Sequence, residues 1–124
     1  MVRNLTNTSG KGSIAERAAA RYLMSKGLKD LERNFRCKLG EIDLIMRDQD
    51  QLVFVEVRFR KSSRYGSAAS TVDASKQRKL RATATYYLKV RKLLQAPVRF
   101  DVLGMQPSPS APDDYEYQWI KSAF

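Results

Sequence analysis

Residues 40–60 read GEIDLIMRDQDQLVFVEVRFR, and no other stretch limits the fold as tightly. Apolar and polar side chains alternate on both sides of DQDQ, and β-branched and aromatic residues dominate, which marks two half-buried strands joined by a tight polar turn. The pattern predicts strands near Glu41–Arg47 and Leu52–Phe59. Residues two apart share a strand face. Glu41, Asp43 and Ile45 are therefore expected on one side of the first strand, with Ile42, Leu44 and Met46 on the other. In its partner, Leu52, Phe54, Glu56 and Arg58 should oppose Val53, Val55, Val57 and Phe59. Each strand thus offers one apolar face and one on which charges stand among apolar residues. Acids set into the most hydrophobic segment of a chain with a net charge of +10 need a reason.

The surrounding elements follow from periodicity. In SIAERAAARYLMSKG, Ala15, Ala18, Ala19, Tyr22 and Leu23 recur at the spacing of one helical face, and Gly27 stands where a C-terminal cap belongs, so a helix is expected from about Ile14 to Lys26. LERNFRCKLG is a short strand candidate, and RKSSRYGSAASTVDAS a polar loop. Leu80, Ala84, Tyr87, Leu88 and either Val90 or Arg91 place a second helix from about Ser75 to Leu94. PVRFDVLGM returns as a strand, and YEYQWIKSAF closes the chain as another after QPSPSAPDD. The order αβββαββ implies an α/β fold with a mixed sheet flanked by helices. Residues 1–12 read as a flexible polar tail and 13–124 as a single domain, large enough at 124 residues to bury about two thirds of its unfolded surface.

Composition then narrows the chemistry. There is no histidine, which removes imidazole as base or metal ligand, and a single cysteine, Cys37, excludes both an internal disulfide and a multi-cysteine zinc site. Acid–base work falls to carboxylates, lysine, tyrosine or metal-bound water. No apolar run approaches the roughly 20 residues that span a bilayer, and MVRNLTNTSGKGS lacks the apolar centre of a signal peptide, so a cytoplasmic protein without a membrane partner is expected. In that compartment the sequon-like NLT and NTS carry no meaning.

The positive charge is concentrated. Residues 74–100 hold eight basic side chains (Lys76, Arg78, Lys79, Arg81, Lys89, Arg91, Lys92 and Arg99) and no acid, and RFRKSSR adds Arg58, Arg60, Lys61 and Arg64. Such a surface condenses on a polyanion, because each neutralised phosphate releases counterions. The competing account is a solvated helix face that keeps the protein soluble. An anionic membrane fits less well, since the second helix lacks a bulky face of Trp, Phe and Leu.

The carboxylates admit two accounts. If the hairpin pairs around DQDQ, Asp43 and Glu56 come from adjacent strands and can reach one divalent ion, with a backbone carbonyl and waters completing an ordinary Mg²⁺ site. Alternatively, either acid pairs with Arg58 or Arg60 at the sheet rim. Glu16 is likewise double-valued: SIAE is a capping box in which Ser13 caps the helix and Glu16 reaches back to its N–H, but Glu16 also borders the apolar stripe and could lean toward the metal.

The helix GSIAERAAARYL, the block NFRCKLGEIDLIMRDQDQLVFVEVRFR, the helix start VDASKQRKLRATATYYL, the strand RFDVL and the terminal AF together resemble the YraN family of predicted endonucleases. That family is related to Holliday-junction resolvases within the PD-(D/E)xK superfamily. The resemblance implies a restriction-endonuclease-like fold and a Mg²⁺- or Mn²⁺-dependent hydrolysis of DNA, branched DNA included. Carried over by position, it assigns Glu16 as the helix-one acid, Asp43 as the metal-binding aspartate and Glu56 as the E-x-K glutamate, with Asp43 and Glu56 holding the metal. The E-x-K lysine falls on Arg58, and the second-helix KQ on Lys76 and Gln77. Arginine can offset charge on the scissile phosphate but stays protonated at physiological pH, so it does not serve as a base. Of the nearby substitutes, Lys61 has the wrong strand parity and Lys76 is preferred.

The expectation is an endonuclease that binds DNA through Arg60, Lys61, Arg64, Lys76, Gln77, Arg78, Lys79 and Arg81, with Glu16, Asp43, Glu56 and Arg58 at the reacting centre. Two rivals stand beside it: a non-catalytic nucleic-acid-binding module that keeps the fold, and an interaction protein whose positive face docks an acidic partner. A homodimer is compatible with the sequence.

Overall fold

A computed structural model of the chain describes residues 10–61, 67–111 and 114–124, with side chains from residue 14 onward. The elements run α1 (Gly10–Ser25), β1 (Lys29–Cys37), β2 (Gly40–Asp48), β3 (Gln51–Phe59), a 3₁₀ turn η1 (Ala68–Thr71), α2 (Ala74–Val90), β4 (Val98–Pro107) and β5 (Tyr115–Ile120). This is the expected αβββαββ order, and it is compatible with a restriction-endonuclease-like fold. The five strands form one sheet in the order β1-β2-β3-β4-β5. Only β3 and β4 pair in parallel; the other pairs are antiparallel. A parallel pair needs a crossover between its strands, and α2 supplies it.

The sheet is covered on both faces. Under α1 lie Ala15, Ala19, Leu23, Leu44, Met46, Val53, Val55 and Leu103. Under α2 lie Ile45, Leu52, Phe54, Leu80, Ala84, Tyr87, Phe100 and Val102. The alternation of Val53 and Val55 against Leu52 and Phe54 divides β3 between the two cores as expected. Fully burying a side chain such as Leu23 or Leu103 contributes about 2 kcal/mol each. The alanine-rich face of α1 lets that helix approach the sheet closely.

α1 ends in a Schellman cap. Gly27 takes a left-handed φ of 104°, the N–H of Leu28 donates to Leu23 O at 3.1 Å and that of Gly27 to Met24 O at 3.0 Å. Leu28 and Leu23 then pack in the same core, which completes the motif.

Several boundaries differ from expectation. α1 starts at Gly10, a turn before Ile14, so Ser13 lies inside the helix and not at its N-cap. α2 ends at Val90, not Leu94, because the chain turns at Arg91 and Lys92, the latter at a left-handed φ of 59°. Val90 itself leaves the buried stripe. The expected polar loop contains η1, which is pressed onto β4: a Cβ on Gly104 would lie 2.5 Å from that of Ala68, so only glycine permits the approach. Gln118 of β5 fixes η1 further by accepting the Ala68 N–H at 2.9 Å.

Candidate functional site

The hairpin is tight at its turn and opens at the other end. The β2–β3 ladder runs from Asp48–Gln51 to Leu44–Val55. At the next residue the carboxylate of Asp43 takes over: its Oδ2 accepts the Val57 N–H at 2.9 Å. The strict two-residue alternation expected for β2 fails here, since Ile42 belongs to the core under α2 while Leu44 and Met46 belong to the core under α1. Glu41, Asp43 and Ile45 therefore do not share one face. The cause lies in β1. Arg33 pairs with Leu44 and Phe35 with Ile42, and between them Asn34 adopts a left-handed φ of 55°. That residue reverses the alternation of β1, and Ile42 follows Phe35 because cross-strand partners point the same way. The carboxylate of Asp43 is left at the point where the faces exchange.

Glu56 stands on the α2 side of β3 with only 6% of its surface exposed. Two cations meet it. Arg58 Nη2 lies 3.3 Å from its Oε2, and Lys76 Nζ 3.6 Å from the same oxygen. Lys76 is placed by the start of α2, where Asp73 caps the helix by accepting the Lys76 N–H at 2.8 Å. The sheet-rim ion pair with Arg58, one of the two accounts open from sequence, is thus formed, and Lys76 is the second cation at Glu56. The Nε of Arg58 is buried without a hydrogen-bond partner.

The acids are electrostatically linked. The Asp43 carboxyl is pushed up to about 8, first by burial and then by the charge of Glu56, against the opposing effect of the Val57 N–H; Glu16 and Glu41 push in the same direction as Glu56. Burial also raises the Glu16 carboxyl, with a hydrogen bond from Asn34 working the other way. Glu16 therefore belongs to this neighbourhood through Asn34 and charge, not through a helix cap. Among the described residues, no group of three or more His, Cys, Asp or Glu side chains is gathered closely enough to hold a metal ion. Asp43 and Glu56 are two carboxylates from neighbouring strands, and the charge of Glu56 acts on Asp43.

The basic residues expected to bind nucleic acid separate into groups. Lys61, Arg78 and Lys79 are exposed. Arg64 lies outside the described residues. Gln77 is committed to the fold, since its Nε2 donates to Val72 O at 3.1 Å. Arg81 lies over Phe100 and Phe124 at 5.0 and 5.4 Å from the ring centres, which anchors the chain end to α2. Arg60 donates its N–H to Met105 O at 2.8 Å and lines a shallow pocket together with Glu116 and Gln118. Arg99 is a correction: it is not part of the basic surface. Its guanidinium makes two 2.9 Å bonds to the fully buried Asp101 and one of 3.1 Å to Asp48. Trp119 Nε1 and the Ser122 N–H complete the shell of Asp101 and lock β5 to β4.

Sequence reasoning missed Asn34 and this Arg99–Asp101 lock. Asn34 had one signal, being among the few residue types that tolerate left-handed backbone. Asp101 offered another, an acid inside the apolar RFDVL that required a buried partner.

A family model described as "Uncharacterised protein family UPF0102" matches residues 15–105. The chain belongs to the UPF0102 family. This is the family called YraN above. The UPF0102 protein of Alcanivorax borkumensis is 46% identical over 125 residues, covering 100% of this chain and 96% of its own. That of Saccharophagus degradans is 47% identical over 114 residues, covering 91% of each, and one from Nitrosomonas europaea is 44% identical over 120, covering 97% of this chain and 98% of its own. The UPF0102 match runs from α1 into β4 and so takes in Glu16, Asn34, Asp43, Glu56, Arg58 and Lys76 together. No helix among the described residues is long and apolar enough to cross a membrane.

Proposed function

We propose that this UPF0102 protein is a metal-dependent endonuclease that hydrolyses DNA phosphodiester bonds, branched DNA included. The observation that carries the reading is the Asp43–Glu56 pair, two partly or wholly buried carboxylates on neighbouring strands, one of them raised to about 8 by burial and by the other's charge. A fold gains nothing by holding such groups together unless a cation or a proton joins them. Asp43 and Glu56 would hold the Mg²⁺ or Mn²⁺, with Glu16 assisting through water. When bound, such an ion supplies Lewis-acid polarisation of the phosphate and acidifies water without a side-chain base.

The chain's own residues have separable tasks. Val57 N–H fixes the direction of the Asp43 carboxylate. Arg58 and Lys76, already beside Glu56, present positive charge where a scissile phosphate would approach. Arg58 steadies charge through its guanidinium, and Lys76 adds a second, more mobile cation at the same carboxylate. Lys61, Arg78 and Lys79 hold the flanking backbone through salt-sensitive contacts.

One observation favours a second reading. Glu56 already has two cationic partners, so the site is also stable as a closed ion-pair cluster, as in a nucleic-acid-binding module without catalysis. Cleavage assays on linear and branched DNA with Mg²⁺ and Mn²⁺ decide between them. The proposal expects metal-dependent cleavage that Asp43→Asn abolishes without loss of DNA binding. Salt-sensitive DNA binding with no cleavage under either metal establishes the second reading, and cleavage that survives Asp43→Asn overturns the site assignment.

A further inference from the structure

A groove lies away from the carboxylates, between the tip of the β1–β2 hairpin and the last turns of α2. Its volume is about 650 Å³, and its lining includes Leu39, Tyr86, Val90, Arg36, Lys38 and Arg91. The groove exists because Gly40 brings the hairpin hard against the middle of α2: a Cβ there would sit 2.8 Å from Thr83 Oγ1. Beyond that contact the two elements diverge, leaving three large apolar side chains uncovered, with Leu39 50%, Tyr86 43% and Val90 44% exposed. Around this apolar floor stand three cations, two of them paired with carboxylates just outside the lining. No lining residue is acidic, and Lys38 has no carboxylate partner among the described residues, whereas Arg36 and Arg91 are steadied by Glu41 and Glu32 at 3.1 and 2.9 Å.

We infer that this groove docks an acidic peptide segment of a partner protein, one that carries an aliphatic or aromatic anchor flanked by Asp and Glu. Lys38, without a carboxylate partner among the described residues, and a lining without acids favour an acidic occupant, and the exposed aliphatic side chains of Leu39 and Val90 favour a peptide over nucleic acid. Leu39 and Val90 offer no polar atom to a base edge, and burying them repays a ligand that brings apolar side chains of its own. Position gives the groove its use. Fourteen residues of α2 separate Lys76 from Val90, a rise of about 21 Å, so a peptide seated here leaves the Asp43–Glu56 neighbourhood open. The site would tether the protein to a partner without competing for its DNA, and the inference stands whether or not the carboxylates are catalytic.

The test pans a displayed library of random twelve-residue peptides against the full chain and measures the enriched sequence as a fluorescent peptide by anisotropy. The expected consensus is acidic with one or two apolar anchors. Its affinity should fall at least tenfold when its acids become Gln, when its anchors become Ser, and in the Leu39→Ser/Val90→Ser double variant. Both substitutions are at half-exposed positions, and a circular-dichroism melt like that of the wild type reports that the variant is folded. Failure to enrich acidic peptides overturns the inference, as does binding that survives the double variant. It is also overturned if single-stranded oligonucleotides bind the groove and lose affinity in the double variant, or if the variant abolishes a self-association seen in sedimentation, since the occupant would then be nucleic acid or a second copy.

Discussion

Asp43→Asn should make the metal-free protein more stable at neutral pH, although it removes the hydrogen-bonded acid at the centre of the site. Asn keeps the shape and still accepts the Val57 N–H through its Oδ1, so the bond at 2.9 Å survives. What it removes is the ionisable group, which must take up a proton on folding at neutral pH. The carboxyl titrates near 3.8 when unfolded and about 8 when folded. A carboxyl raised in this way contributes its stability only when protonated: the contribution is complete below about pH 4 and is lost as pH climbs through about 8. At pH 7 roughly three pH units of that interval have been crossed, at about 1.4 kcal/mol each, which sets a ceiling of about 4 kcal/mol. Asp43 keeps some solvent-exposed surface, so a gain of about 1–3 kcal/mol is the expected result after screening, or roughly 4–10 °C in melting temperature for a domain of this size.

Thermal melts by circular dichroism, in EDTA and across about pH 5 to 8.5, test this. The variant's advantage should be small at the acid end, grow with pH and level off above about 8. Adding Mg²⁺ or Mn²⁺ should raise the wild type alone, because binding to the folded state stabilises it by mass action. An Asp43→Asn protein that melts lower than wild type at pH 7, or a difference that ignores pH, would refute the reasoning. Asp43 would then be a structural acceptor whose charge the fold accommodates, and the electrostatic basis of the proposed site would be gone.

Other substitutions separate the roles assigned above. Arg78, Lys79 and Lys89 changed together to Gln should weaken DNA binding and flatten its dependence on salt while melting like wild type; unchanged affinity would make α2 a merely solubilising face. Arg81→Gln should instead cost about 0.5–2 kcal/mol in denaturant unfolding, because it loses two aromatic rings as well as a charge. Arg58→Lys should retain or raise cleavage if the arginine acts only through charge, and a collapse of activity in a normally folded variant would give its guanidinium geometry a role of its own. Asp101→Ala should destabilise by about 3–5 kcal/mol, since it strands the Arg99 guanidinium and frees Trp119 and Ser122, and a loss under 1 kcal/mol would show that the network is not what fixes β5.

Much of the fold was readable because it is written in patterns with short periods. The 3.6-residue stripe of α1, the two-residue alternation of β3 and the cap at Gly27 each depend on near neighbours, and each appears where the periodicity puts it. What failed depended on distant partners. Nothing near Ile14 announces that the helix begins at Gly10. Arg99 reads as one more cation in a basic run until Asp101, Asp48 and Trp119 are brought around it from three strands. A count of charge along the chain has no means of removing a residue that the sheet has paired away with its own acids.

The site shows the same division more sharply. The residue types were legible, since acids inside GEIDLI and LVFVEV must be compensated in some way. Their relation was not, because it turns on one backbone angle in a third strand. With Asn34 in an ordinary extended conformation, β1 and β2 would alternate regularly, and Ile42 would share a face with Leu44 and Met46, under α1. The left-handed Asn34 exchanges the faces level with Asp43, which moves Ile42 to the α2 side. Asp43 is thereby placed at the crossing, able to reach β3 at Val57 and to feel both Glu16 from the α1 side and Glu56 from the α2 side. Asn34 is then the residue that makes one site out of acids from two layers. Asn34→Gly, which tolerates the same φ, should leave the rise of the Asp43 carboxyl largely in place and lose only the hydrogen bond to Glu16. Asn34→Val, for which a left-handed φ is strained, should drive the strand toward regular alternation and uncouple the two carboxylates. Carboxyl titration followed by NMR would read the difference, and a Val variant whose Asp43 still titrates near the wild-type value would show that the crossing does not depend on Asn34.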